Sequence, residues 1–170
     1  MKDCFRSASP LAATANRQLL LLMLTALTFL AFKATETRPV KVPAGFDWQG
    51  HRGCRGLMPE NSLPAFLKAL EFPEVVTLEL DLAVSKDGKL IVSHEPWFSP
   101  AICLMPGGDT IKQKEAEKFL IYYMSLEAIR SFDCGSKVNP RFPAQQKMKT
   151  YKPTLSEVVA AALPIRPNIR

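Results

Sequence analysis

The sequence of this 170-residue chain predicts an α/β fold. Three stretches carry that reading. Leu63, Phe66, Leu67 and Leu70 recur at the spacing that gives a helix one apolar face. From Val75 the apolar period drops to two, as on a half-buried strand, and Thr154-Leu155-Ser156-Glu157 has the form of a capping box opening a second helix. Strands and helices in alternation belong to α/β folds. Composition agrees: 47% hydrophobic and 22% charged residues exclude a disordered tail, a collagen-like chain and a polytopic membrane protein.

At the N-terminus, Lys2, Arg6 and Arg17 precede Leu19 to Phe32, fourteen residues without a charge. That is the pattern of an export signal, since a membrane span needs about 20 apolar residues. Ala31 and Ala34 are small enough for cleavage, but each would place Phe at the −3 position. Residues 1–34 are therefore expected to be a signal peptide or an uncleaved, membrane-tethering anchor helix, and the chain to be exported, to the periplasm or cell exterior, or held at the membrane. Residues 35–45, polar and proline-bearing, read as a linker to a domain over 46–170. Export would permit disulfides. Beyond Cys4 of the leader, Cys54, Cys103 and Cys134 are odd in number, so one bridge with a free thiol and three buried thiols both remain open. No Cys-x-x-Cys spacing suggests zinc.

Within the domain, Phe46–Gly50 is a short strand candidate running into His51-Arg52-Gly53. Asn61 and Ser62 offer N-cap oxygens and Pro64 suits a first turn, which places a helix to about Glu71. The period of two then puts Leu78, Leu80 and Leu82 on one face of a strand and Thr77, Glu79, Asp81 and Ala83 on the other. Lys86-Asp87-Gly88 signals a turn, and Leu90–Ser93 a further strand delivering His94. Residues 95–150 read as an insertion or long excursion with many prolines, a charged stretch at Lys112–Lys118 and a short helix at Ser125–Phe132. The capping-box helix then runs through Ala162, and Pro164 ends it. There are no internal repeats.

The net charge of +6 invites a nucleic-acid reading, but half of the excess lies in residues 1–40. No Lys/Arg stripe with interleaved aromatics appears, so no nucleic-acid partner is expected. The two histidines, His51 and His94, each follow a predicted strand, where reactive groups of α/β folds collect. Glu79 and Asp81 point the same way from a strand with a buried face. Two such carboxylates repel one another and lose hydration, and a divalent cation removes both costs. Hard oxygen ligands suit Ca²⁺ or Mg²⁺. Arg52 adds a cationic fork suited to a phosphate oxygen.

His51-Arg52-Gly53, Pro59-Glu60-Asn61-Ser62-Leu63 with Ala65-Phe66, Glu79-Leu80-Asp81, Lys86-Asp87-Gly88 and His94 together resemble the signature of the glycerophosphodiester phosphodiesterase family. Phe132-Asp133-Cys134-Gly135-Ser136, Pro140-Arg141-Phe142-Pro143 and Pro153-Thr154-Leu155 resemble exported members. The resemblance implies a TIM-type β/α barrel that hydrolyses glycerophosphodiesters, in phospholipid catabolism, to glycerol 3-phosphate and an alcohol with a divalent cation. It also implies that His51 and His94 are general acid and base, in an order left open, that Arg52 binds phosphate and that Glu79 and Asp81 ligate the metal. Glu60 takes a supporting polar role. Ser62 and Glu95 stand where threonine and aspartate are common in the family. The family's third acidic ligand, on the strand after the helix opened by Thr154, has no counterpart before Arg170. Such a barrel takes about 250 residues. The expectation is therefore about the first half of a barrel, incomplete as an enzyme. A non-catalytic, membrane-tethered phosphate- and cation-binding fragment and a related phospholipase-type diesterase stand as alternatives.

Overall fold

The helix expected after Asn61 forms over Leu63–Leu70 (α1) in a computed structural model, which describes residues 42–170. Ser62 is its N-cap, the hydroxyl accepting from Ala65 N at 3.3 Å, and Pro64 sits in the first turn. The apolar run Leu19–Phe32, with the signal or anchor expected over 1–34, lies outside the described residues, as does most of the linker. Among the described residues no helix is long and apolar enough to cross a membrane.

Strands β1 (Trp48–His51) and β2 (Val75–Glu79) flank α1 in sequence and pair in parallel, with Gly50 opposite Leu78 and His51 opposite Glu79. This is a β/α/β unit, the repeating piece of parallel α/β folds. Apolar positions of these elements meet where Phe66, Val92 and Val158 are buried together, with Leu63, Leu78 and Leu80 packed against them. The backbone of Arg170 also bonds to β2: its N–H donates to Val76 O at 3.0 Å and its carbonyl accepts from Leu78 N at 2.7 Å. One residue bonded in this way to the neighbours on both sides of Thr77 follows the pattern of a parallel ladder.

The single strand expected over Val75–Ala83 is broken. β2 ends at Glu79, and Leu82–Val84 (β3) instead pairs antiparallel with Leu90–Val92 (β4) through the Lys86-Asp87-Gly88 turn, Gly88 having φ 72°. Leu82 is consequently not the buried residue that simple alternation implies. It is 45% exposed, because the apolar cover that reaches Leu78 and Leu80 does not extend to it, whereas Ala83 packs against a second core.

That second core is built largely by the excursion, which is irregular but not loose. It contains two short 3-10 helices (Gln113–Phe119 and Ile121–Tyr123) and helix α2 (Leu126–Arg130). Ile91, Phe98, Cys103, Ile111, Ala116, Ile121, Ile129, Phe132 and Cys134 are buried together, Phe98 stacking on Phe132. The hairpin turn docks on this part through Lys86 N to Met124 O at 2.9 Å and through the Asp87 carboxylate, which accepts from Leu126 N. Among the described residues the cysteine question resolves as one bridge, Cys103–Cys134, with Cys54 free.

The bridge closes a separation of 31 residues around this core. Loop-closure entropy for a loop of that size corresponds to about 3 to 4 kcal/mol. Replacing both cysteines by alanine is therefore expected to lower the unfolding free energy by about 3 kcal/mol, measured by urea denaturation with intrinsic tryptophan fluorescence. An unchanged midpoint would show that the excursion is held without the bridge.

The last helix, α3 (Leu155–Ala162), begins with the capping box read from the sequence: Glu157 N donates to Thr154 Oγ1 at 3.2 Å and Thr154 N to Glu157 Oε2 at 2.8 Å. It packs on α1 and β4. These elements lie in one compact unit, Gly45–Arg170.

Candidate active site

Parallel pairing of β1 and β2 brings their carboxyl ends side by side, and the register sets His51 across from Glu79. His51 Nε2 lies 3.7 Å from Glu79 Oε2, with the imidazole about half exposed. The chain must then leave the sheet abruptly. Arg52 and Gly53 do this with φ of 53° and 82°, and Gly53 N donates back to Gly50 O at 3.0 Å. A Cβ on Gly53 would lie 2.6 Å from the carbonyl carbon of Ala65, so the close approach of α1 as well as the dihedral requires glycine here.

Asn61, also left-handed at φ 53°, donates its N–H to Arg52 O at 3.0 Å and closes the intervening loop. The closure returns Glu60 to Arg52. Arg52 Nη1 donates to Glu60 Oε1 at 2.7 Å, and the two side chains are only 12% and 9% exposed. Arg52 N donates to Glu79 Oε2 at 3.0 Å. Asp81 Oδ2 stands 3.7 Å from Arg52 Nε, beyond hydrogen-bond length, and both atoms are buried without a partner. Five of the six sequence-predicted residues thus meet in one cluster, held by direct contacts centred on Arg52.

His94 joins this cluster through the backbone. Ser93 N donates to Asp81 O at 2.9 Å, which brings the end of β4 to the residue that follows Leu80. His94 Nδ1 is 3.0 Å from Glu95 Oε1. Burial opposes the charge of Glu95, but the hydrogen bond and charge of His94, with the charge of Lys152, hold its carboxyl below the usual range. His94 also lines a cleft of about 350 Å³ with Leu82, Ala83, Val84, Ser93, Pro96 and Tyr122.

Lys152 is a site residue that sequence reasoning passed over. It is only 4% exposed, and its Nζ donates to Ser93 Oγ at 2.7 Å. Burial pushes its ammonium down to about 8, against the attraction of Glu95 and Glu60 and with the repulsion of Arg52. Its one sequence signal is position, immediately before the Pro153-Thr154-Leu155 segment. A surface lysine would look the same in sequence.

The donor set can be tested against a divalent cation. Glu79 and Asp81 offer hard oxygens, and Asp81 Oδ2 is a buried acceptor with no donor, so these two carboxylates fit a Ca²⁺- or Mg²⁺-type ion as part of a ligand set. Among the described residues no group of three or more His, Cys, Asp or Glu side chains gathers for a metal. Glu157 does not contribute: besides the cap, its Oε1 accepts from Arg130 Nη2 at 2.7 Å and Tyr151 Oη at 3.1 Å.

A family model described as the glycerophosphoryl diester phosphodiesterase family matches residues 51–169, beginning at His51. The chain belongs to that family. A glycerophosphodiester phosphodiesterase of Caldanaerobacter subterraneus subsp. tengcongensis is 30% identical over 108 residues, which cover 64% of this chain and 37% of that protein. One from Bacillus subtilis is 30% identical over 112 residues, covering 64% of this chain and 33% of its own length. The chain thus aligns with about a third of these relatives.

Solved structures extend the match to the fold. One from Silicibacter pomeroyi, assigned as a glycerophosphoryl diester phosphodiesterase, superposes with a TM-score of 0.67 at 28% identity, over 75% of this chain and 44% of the other. An Oleispira antarctica phosphodiesterase, solved in complex with the product sn-glycerol-3-phosphate, gives 0.51 at 24% identity over 71% and 41%, a likeness of fold. The β/α/β unit, with the hairpin and α3, is accordingly a portion of the α/β barrel architecture of this family.

Proposed function

We propose that this chain carries the phosphate-binding and acid–base portion of a metal-dependent glycerophosphodiesterase, a hydrolase releasing glycerol 3-phosphate and an alcohol. The observation that carries the reading is the pair of buried, unpartnered atoms beside His51, Arg52 Nε and Asp81 Oδ2. Arg52 Nε and Asp81 Oδ2 face one another as an ion pair at 3.7 Å, too long for a hydrogen bond, so each keeps capacity for a ligand. An anion suits the first and a cation the second, which is what a phosphodiester with a divalent ion supplies.

In this reading Glu79 and Asp81 hold the ion. When bound, it offsets the negative charge of the phosphodiester. Glu60 orients the Arg52 guanidinium, the cationic group suited to a phosphate oxygen. The Glu95 carboxylate can only accept, so neutral His94 keeps its proton on Nδ1 and presents a bare Nε2. One imidazole removes a proton from the attacking oxygen and the other protonates the leaving alkoxide. The Cys103–Cys134 bridge supports an oxidising compartment, in keeping with an exported protein whose N-terminal segment is a signal or a membrane anchor.

The whole protein, given glycerophosphocholine or glycerophosphoethanolamine, is expected to release glycerol 3-phosphate with added Ca²⁺ or Mg²⁺. EDTA should lower the rate at least about tenfold, and excess ion should restore it. Turnover unaffected by chelation would refute the metal role, and absence of product from either substrate would refute the substrate class.

A further inference from the structure

A lysine ammonium is seldom buried without a task, because an apolar side chain of similar size would fill the same space without losing hydration. At Lys152 the obvious structural task is already met by neighbouring backbone. Val92 N donates to Pro153 O at 2.8 Å, and Ile91 forms an antiparallel bridge with Thr154, so β4 is tied to this segment without any side-chain charge. The ammonium instead reaches past that tie to Ser93, the residue before His94, and its Nζ lies over the ring of Phe98, 5.6 Å from the centroid.

Ser93 relays the contact. Its hydroxyl accepts from Lys152 Nζ and donates to Glu95 O at 2.6 Å, so the residues on both sides of His94 are pinned by one chain of hydrogen bonds. Lys152 also attracts the Glu95 carboxylate that holds His94 Nδ1, and the charges of Glu60 and Arg52 act on it from the other half of the site.

We propose that Lys152 is a positioning residue for the reaction: through Ser93 it locks the Ser93–Glu95 segment, so that His94 keeps Nδ1 on Glu95 and Nε2 available to the phosphodiester. The role in catalysis rests on the phosphodiesterase reading; the control of His94 does not. Because the chain has only two histidines, His51 and His94, their ring signals can be followed separately by long-range ¹H–¹⁵N correlation in the full chain.

In Lys152→Met and in Ser93→Ala, the His94 ring signals are expected to move and those of His51 to stay. In the whole protein both variants should lower kcat about 10-fold or more, as loss of an orienting partner does elsewhere, with KM within about twofold. Unmoved His94 signals in either folded variant would overturn the proposal. Equal movement of both histidines would also overturn it, since that is general loosening. Should Lys152→Met fail to fold, Ser93→Ala, which leaves the charge in place, decides alone. A protein that turns over no glycerophosphodiester refutes the proposed function, and the histidine signals still decide whether Lys152 sets His94.

Discussion

His51→Ala and His94→Ala are each expected to lower the release of glycerol 3-phosphate by about 10²- to 10⁴-fold while leaving the protein folded. The rings are about half exposed, His51 at 49% and His94 at 43%, so neither contributes much packing. Each instead has a carboxylate beside one nitrogen, Glu79 at His51 Nε2 and Glu95 at His94 Nδ1. If the two rings serve one proton path, the double variant should be scarcely slower than the worse single one. The check is steady-state kinetics with circular dichroism on the same samples. A folded single variant with the parent rate would remove that histidine from the acid–base role.

Arg52→Met should lower stability as well as remove the proposed phosphate contact. It leaves Glu60, 9% exposed, without its guanidinium partner, and stranding one member of a buried ion pair costs about 3 to 5 kcal/mol. Glu60 then retains only the more distant attraction of Lys152. Arg52→Met with Glu60→Gln should recover part of the loss, since no charge is stranded, and the difference is the coupling between the two side chains. Urea unfolding of the parent, both single variants and the double variant measures it. A loss below about 1 kcal/mol in Arg52→Met would mean that the pair is hydrated and has the small value of a surface bridge.

The elements that local spacing specifies were legible. Ser62 before Pro64 and Thr154 three residues before Glu157 name helix starts because capping is a contact over three residues. The alternation from Val75 names a strand because the side-chain period is a property of the extended backbone. What alternation could not show is where cover ends. Leu78 and Leu80 lie against the core of Phe66, Val92 and Val158, whereas Leu82, with the same parity, begins another pairing and faces solvent.

The same division runs through the site. His51, Arg52, Glu60, Glu79, Asp81 and His94 could be named from residue type, position after strands and family resemblance, but not the contacts among them. Arg52 reaches Glu60 because two left-handed residues, Arg52 and Asn61, close the loop between them. Neither residue is glycine, so composition gave no warning of that turn. Lys152 was missed because burial of a long cationic side chain depends on what packs over it, here the excursion carrying Phe98.

By itself, then, the sequence determined the alternation of strand and helix, the caps, and the residue types gathered after β1, β2 and β4. Tertiary structure decided which cysteines bridge, that Leu82 is exposed, that Arg52 and Asp81 each retain an unpartnered buried atom, and that Lys152 is enclosed beside Ser93. The reason is one of range. Periodicity and capping act within a few residues and leave a pattern in the chain. Burial and pairing between residues as far apart as Ser93 and Lys152 depend on the packing of the segments that bring them together.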